Sequence, residues 1–229
     1  MSMPKNANTH CDNCNSRKRN VFCTLPAEGV QLLDSAKVTN SYKRGQYIFY
    51  ESNLPNGLYC VNDGVIKLET AGASGNNHIL RMVHEGGMLG YRSLFADEPY
   101  RASALVHEDA TICFIPKFAI TQLVEKYPDV AIRFLSTISK ELRQAENRLC
   151  GLTDKNASER IAESVLFLRE NFAEQTWTRK EIAEWAGTTP ETVMRTLADF
   201  EAKGYIDQVG RKIIIKDKPA LLSLANLTL

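Results

Sequence analysis

An excess of charge of either sign is missing from this sequence. Its 229 residues carry a formal net charge of +1, so bulk composition names no nucleic-acid, membrane or acidic partner. The stretch after Cys150 adds nothing, because its Asp and Glu slightly outnumber its Lys and Arg. Binding of a polyanion must therefore rest on where particular charges sit. No apolar run approaches the roughly 18 residues that a membrane-spanning helix needs. Residues 1–14 are polar and lack the apolar core of a secretory signal, so the expected address is the cytoplasm. Catalytic signatures are wanting too: there is no P-loop, no Ser/His/Asp constellation and no paired carboxylates in a glycine-rich setting. The expectation is a protein that is not an enzyme.

What is present suits a folded core, with 44% hydrophobic, 8% aromatic and 24% charged residues. Six cysteines in a reducing compartment do not read as a disulfide framework. Cys11, Cys14 and Cys23 crowd the first tenth of the chain, while Cys60, Cys113 and Cys150 are scattered. Clustered thiols in such a compartment point to metal or redox chemistry.

Four stretches follow from the patterning. Residues 1–25 form a polar, cysteine-containing arm with the basic run Arg17-Lys18-Arg19, read either as disordered or as a loop held by a metal. Residues 26–127 begin with a short helix near Glu28 to Lys37 and continue in short strands: Tyr47 to Tyr50, Gly57 to Val61, Val65 to Leu68, Ile79 to Val83 and Ala110 to Ile115. Turn residues such as Asn53, Asp63-Gly64 and Gly86-Gly87 separate them, which predicts an antiparallel β-roll or jelly roll. Residues 128–153 form a long helix. On it Leu135, Ile138, Leu142, Ala145, Leu149 and Leu152 repeat at spacings of three and four, the seam of a helix packed along another helix. A helix lying on its own core is the other reading; a dimer interface is the favoured one. Lys140, Glu141 and Arg143 fall on its other faces.

Residues 154–229 read as a winged helix-turn-helix, making the whole chain α+β. An amphipathic helix runs from Glu159 to Phe172. Thr178, three residues before Glu181, marks a helix start. That helix stops at Gly187, and Thr189-Pro190 starts the next. Tyr205-Ile206 and Lys212 to Ile215 flank Gly210 as a hairpin. On the second helix Val193, Leu197 and Phe200 share one face, and Glu191, Met194 and Arg195 share another. A glutamate can accept from cytosine N4 and an arginine can bond guanine O6 and N7. Taken alone, that pair is no more than a solvated face; with two successive caps and a wing it reads as a base-contacting surface.

The segment from Thr178 to Ala183, and from Gly187 through Pro190-Glu191-Thr192-Val193-Met194-Arg195 to Leu197, resembles the helix-turn-helix of the CRP/FNR family. The resemblance runs over nearly the whole chain and implies a homodimeric transcription regulator that binds a palindromic double-stranded DNA site and contacts RNA polymerase. It implies that Thr178, Thr189, Pro190, Glu191, Met194 and Arg195 form the DNA surface, with Glu191 and Arg195 as the base-reading pair. Met194 departs from the serine usual in the FNR-like branch, which leaves the outer bases of the half-site open.

The cassette that holds a cyclic nucleotide in this family corresponds to Gly90-Tyr91-Arg92-Ser93 and Tyr100-Arg101-Ala102-Ser103. Gly90, Tyr91, Arg92 and Arg101 are thus the effector-pocket candidates. Tyr91 stands where the ribose-binding carboxylate belongs and cannot accept two hydroxyls as a carboxylate does, which argues against cyclic AMP. Arg101 can meet a phosphate or pair with a neighbouring acid. The resemblance to the FNR-like branch implies instead a [4Fe–4S] cluster, with Cys11, Cys14, Cys23 and Cys113 as its four thiolates. Eight residues separate Cys14 from Cys23, more than in the branch's familiar pattern. Zinc on the same thiols with His10, unligated thiols, and haem or nitric oxide with His78, His84 or His107 as axial ligand stay open. Cys60 reads as a small buried hydrophobe. Cys150 reads as packing beside the seam or as an inter-subunit disulfide.

Overall fold

The structure is a computed structural model that describes residues 10–72, 75 and 77–227; the first nine residues of the expected arm lie outside these. Contacts divide the chain into two compact units, residues 1–70 with 80–142 and residues 71–79 with 143–229. Among the described residues no helix is long and apolar enough to cross a membrane.

The first unit opens with a 3-10 turn, Cys11–Asn13, and a one-turn helix α1, Asn15–Lys18. Helix α2, Ala27–Ala36, follows. The sheet strands are β1, Val38–Tyr42; β2, Tyr47–Phe49; β3, Gly57–Ala71; β4, Asn77–Val83; β5, Met88–Leu89; and β6, Ser103–Pro116. They run in the order β1-β6-β3-β4, with β2 on β6 and β5 on β3. Short helices α3, Tyr91–Ala96, and α4, Lys117–Lys126, complete the roll, and α5, Pro128–Asp154, leaves it.

Two short strands and a turn were expected between Gly57 and Leu68, yet β3 is one long strand. Its partner β6 is almost as long, so the ladder continues past Asp63-Gly64 and absorbs those residues as bulges: the register shifts between Val61 and Asp63, between Asp63 and Val65, and between Val65 and Ile66. Gly64 sits at φ 95°, and a Cβ there would meet the Asp109 carbonyl oxygen at 2.6 Å, so no other residue fits without moving β6.

From His10 onward the expected arm packs against the roll. Val21, Phe22 and Leu25 pack into the same core as Val30 and Leu33 of α2, Leu123 of α4 and Val130 and Phe134 of α5. Phe22 is 1% exposed and meets Phe134 edge to face at 6.0 Å between centroids. Burying such a ring contributes about 1.5–3 kcal/mol. Polar ties supplement the packing. Arg17 donates to the carbonyls of Cys11 (2.7 Å) and Phe22 (3.0 Å), and Asp34 of α2 accepts from the Cys11 amide at 2.8 Å.

The second unit holds α6, Ala157–Asn171; α7, Arg179–Ala186; α8, Pro190–Ala202; the hairpin β7, Ile206–Val209, with β8, Lys212–Ile215; and α9, Lys218–Leu224. Ile161 and Val165 of α6, Ile182 of α7, Val193, Leu197 and Phe200 of α8 and Leu221 of α9 are fully buried.

Candidate functional site

Four groups of candidate residues can be placed, the last of them the seam on α5. The first is the thiol set. A small cavity, partly open to solvent, is lined by Cys11, Cys14, Cys60 and Cys113 among others. Its walls come from segments far apart in the chain. The 3-10 turn presents Cys11, and Cys14 caps α1 by accepting from the Arg17 amide at 3.4 Å. Strand pairing sets Cys60 of β3 directly opposite Cys113 of β6. The bulge leaves Asn62 outside the ladder, and there its carboxamide oxygen accepts from the Cys14 thiol at 3.4 Å and from the Ser16 hydroxyl at 3.2 Å. A bulge that re-aims one side chain thus fastens the arm to the sheet.

Burial pushes the Cys11 thiol up to about 12, against the pull of Lys37. Burial also raises Cys113, and Cys60 well above the ordinary thiol value, with the neighbouring sulfurs of Cys113, Cys14 and Cys11 adding to it. Ligation of a metal here would therefore release protons. Lys37, paired to Asp34 at 2.6 Å, also lines the cavity and brings positive charge to it. Among the described residues no three His, Cys, Asp or Glu side chains converge closely enough to hold a single metal ion. What the four thiols share is a space.

Cys23 is half-buried and does not line that space. Cys60, expected to be a packing residue, is buried and does line it; nothing local in the sequence signals this, because strand register alone brings it there. Cys150 is exposed. His78 and His84 are exposed, and His107 is buried.

The second group is the effector-pocket set. Gly90, at φ 81°, starts α3. Tyr91 is 1% exposed. Its hydroxyl and the guanidinium of Arg81 both donate to the Glu141 carboxylate of α5, and Arg92 donates to the same carboxylate at 2.5 Å through Nη2. Glu141, expected on an outer face of α5, is instead only 17% exposed, because three donors draw it inward. Arg101 does not join them; its side chain is 82% exposed and pairs with Glu98 at 3.2 Å. Arg81 and Glu141 were missed from sequence, since their pairing spans sixty residues.

The third group is the helix-turn-helix. Thr178 accepts from the Glu181 amide while Glu181 accepts from the Thr178 amide, a closed capping box. Gly187 takes the left-handed φ of 63° that ends α7. Thr189 then accepts from the Thr192 amide at 3.3 Å, and Pro190 opens α8. Val193, Thr196, Leu197 and Phe200 are buried, leaving Glu191, Met194 and Arg195 exposed on the opposite face. Arg195 has no ion pair among the described residues. The Glu191 carboxylate is held below the usual range by its own amide and by the Thr189 hydroxyl. Arg179, not singled out from sequence, donates to Gln208 at 2.5 Å and so ties α7 to the wing, whose turn exposes Arg211 and Lys212.

On the first half of α5, Val130 and Phe134 are buried and Ile138 packs against the same core. Leu135, Leu142, Leu149 and Leu152 are 49–63% exposed, and Ala145 is exposed with them. A row of exposed leucines on one helix is a surface that wants a partner.

Residues 39–127 match the family described as the cyclic nucleotide-binding domain, and residues 159–224 match the Crp-like helix-turn-helix domain. The chain is 27% identical to the fumarate and nitrate reduction regulatory proteins of Salmonella typhimurium and Escherichia coli, over 96% of its own length and 91% of theirs. It is 27% identical to the anaerobic regulatory protein of Haemophilus influenzae, over 95% and 88%. Among solved structures, FixK2 from Bradyrhizobium japonicum shares its fold with a TM-score of 0.74 at 23% identity, covering 84% of this chain and 99% of that one. A CRP/FNR family regulator from Thermus thermophilus is similar with a TM-score of 0.69 at 28% identity, covering 82% and 98%.

Proposed function

Because this chain belongs to the CRP/FNR family of transcription regulators, we propose that it is a cytoplasmic homodimer that reads a palindromic DNA site and is gated by an oxygen- or redox-labile [4Fe–4S] cluster. The observation that carries the gating is the cavity at which the arm thiols Cys11 and Cys14 meet the strand thiol Cys113. All-thiol donors around one space suit an iron–sulfur cluster, in which each sulfur takes its own iron. By the resemblance the ligand set is Cys11, Cys14, Cys23 and Cys113. When bound, such a group supplies a labile tether between the arm and the sheet.

The chain's own residues carry the consequence onward. The arm that holds Cys11 and Cys14 also places Phe22 against Phe134 of α5 and Thr24 under Arg133 at 3.1 Å. A shift of the arm is thereby felt at the helix that bears the leucine seam. Seam leucines from two copies, packed together, would set two α8 helices on successive major grooves. Glu191 and Arg195 would then read base edges, while Arg211 and Lys212 meet phosphate. On the family resemblance RNA polymerase is the protein partner.

Reconstitution with iron and sulfide under anaerobic conditions tests the cluster. The protein should turn brown with broad visible absorption, and Cys113→Ala should lose the colour. A colourless wild-type protein rules the cluster out. Sedimentation tests the dimer, with Leu142→Glu and Leu149→Glu expected to yield monomers. A monomeric wild-type protein with no preference among random duplexes removes the regulator reading altogether.

A further inference from the structure

The space that holds three of the expected ligand thiols offers a fourth that is not the expected one. Cys60 lines the cavity with Cys11, Cys14 and Cys113, and Cys23 does not. In an antiparallel pair, directly opposed residues point to the same face with their Cβ atoms about 4.5–5.5 Å apart. Cys60 and Cys113 are such a pair, and they are as close as the Cβ atoms of residues one helical turn apart, about 5–6 Å, the separation a C-x-x-C pair uses. Two pairs of thiols, one on the arm and one on the sheet, thus face a common space.

Cys23 is kept out by its neighbour. Phe22 lines the cavity and is 1% exposed, and its amide is pinned by the Asn20 carboxamide oxygen at 3.0 Å. The other end of the same carboxamide donates to the Cys60 sulfur at 3.9 Å. Cys23, the next residue, is half-buried and absent from the cavity wall, its amide fixed to the Asn20 carbonyl at 3.2 Å. Turning Cys23 inward would disturb the seat of Phe22, which is buried in the core. The long Cys14-to-Cys23 spacing fits this: the extra residues form α1 and the turn that seats Phe22.

We propose that Cys60, and not Cys23, is the fourth thiolate of the iron–sulfur site, so that the ligand set is Cys11, Cys14, Cys60 and Cys113. This rests on the cluster reading above. Cys23 is then a half-buried thiol that stays free when the site is loaded.

The test compares wild type, Cys60→Ser, Cys60→Ala and Cys23→Ser, each full length and reconstituted anaerobically. Iron, acid-labile sulfide and visible circular dichroism are measured, with far-ultraviolet dichroism as the check on folding. Cys23→Ser should keep the wild-type spectrum and about four irons per protomer. Both Cys60 variants, while folded, should lose most of the iron and the visible dichroism. Loss of the cluster in Cys23→Ser, or its retention in either Cys60 variant, overturns the assignment. Alkylation mapped by mass spectrometry on the unaltered protein covers the case of a Cys60 variant that does not fold. Cys23 should react at the same rate with and without iron, and protection of Cys23 by iron overturns the proposal. If wild type itself takes up no iron, the cluster reading fails first, a result distinct from any of these.

Discussion

Within α7 and α8 the capping and outward-facing side chains are each positioned by a partner no more than four residues away or by the face of their own helix. Thr178 is closed by Glu181, Thr189 by Thr192, and Glu191 and Arg195 are turned outward because Val193, Leu197 and Phe200 are turned inward. In the thiol cavity the partners lie far apart. Cys11 and Cys113 are separated by about a hundred residues, and Cys60 joins them only because β3 pairs with β6 in one register. A site built from local signals keeps its geometry whenever its helices form. A site built from a docked arm and a sheet register keeps its geometry only while the arm stays docked. That conditional geometry is what a sensor needs and a DNA-reading surface must avoid.

Substitutions in the two regions should therefore differ in what they disturb. The largest effect is expected from Phe22→Ala, which should lower the denaturant-measured stability of the first unit by about 3–5 kcal/mol and abolish iron uptake while leaving all cysteines in place. Unaltered iron uptake would mean the arm does not depend on its aromatic anchor. Arg195→Ala should weaken binding to a selected duplex by about 1–3 kcal/mol at a single base pair of the half-site. A uniform loss across all sequences would reassign Arg195 to phosphate contact. Thr178→Ala removes one cap and should cost the second unit about 1 kcal/mol, seen as a lower midpoint for that unit alone. If both units shifted together, the contrast between local and conditional geometry would fail.

The smallest effect is a predicted constancy. Glu191 is held below the ordinary carboxylate range, so it stays charged through and below the pH at which an unfolded glutamate protonates and loses its charge only as pH falls through the lower folded value. Selectivity at the base pair that Glu191 is proposed to read should therefore be flat between about pH 8 and about pH 5. A loss of selectivity within that window, measured by competition between duplexes, would exclude Glu191 from base reading.

The same contrast explains what could be read from the amino-acid order. Both caps of α7 and α8, the glycine stop at Gly187, the hairpin about Gly210 and the leucine row on α5 all have signals within one or two turns, and each lies where those signals point. The Asp63-Gly64 pair looked like a turn because turn and bulge use the same residues; only the length of β6 decides between them. Cys60 looked like packing because register is invisible until both strands are known. Glu141 looked like a solvated face because its three donors, Arg81, Tyr91 and Arg92, come from β4 and α3.

The central claim is that occupancy of the thiol cavity sets the affinity for DNA. The most direct test is one titration of a selected palindromic duplex with anaerobically reconstituted protein, recorded with its visible absorption and repeated on the same sample after admission of air. Loss of the visible absorption and a fall of at least tenfold in affinity, about 1.4 kcal/mol, should occur together. An affinity that holds while the colour disappears would contradict that claim.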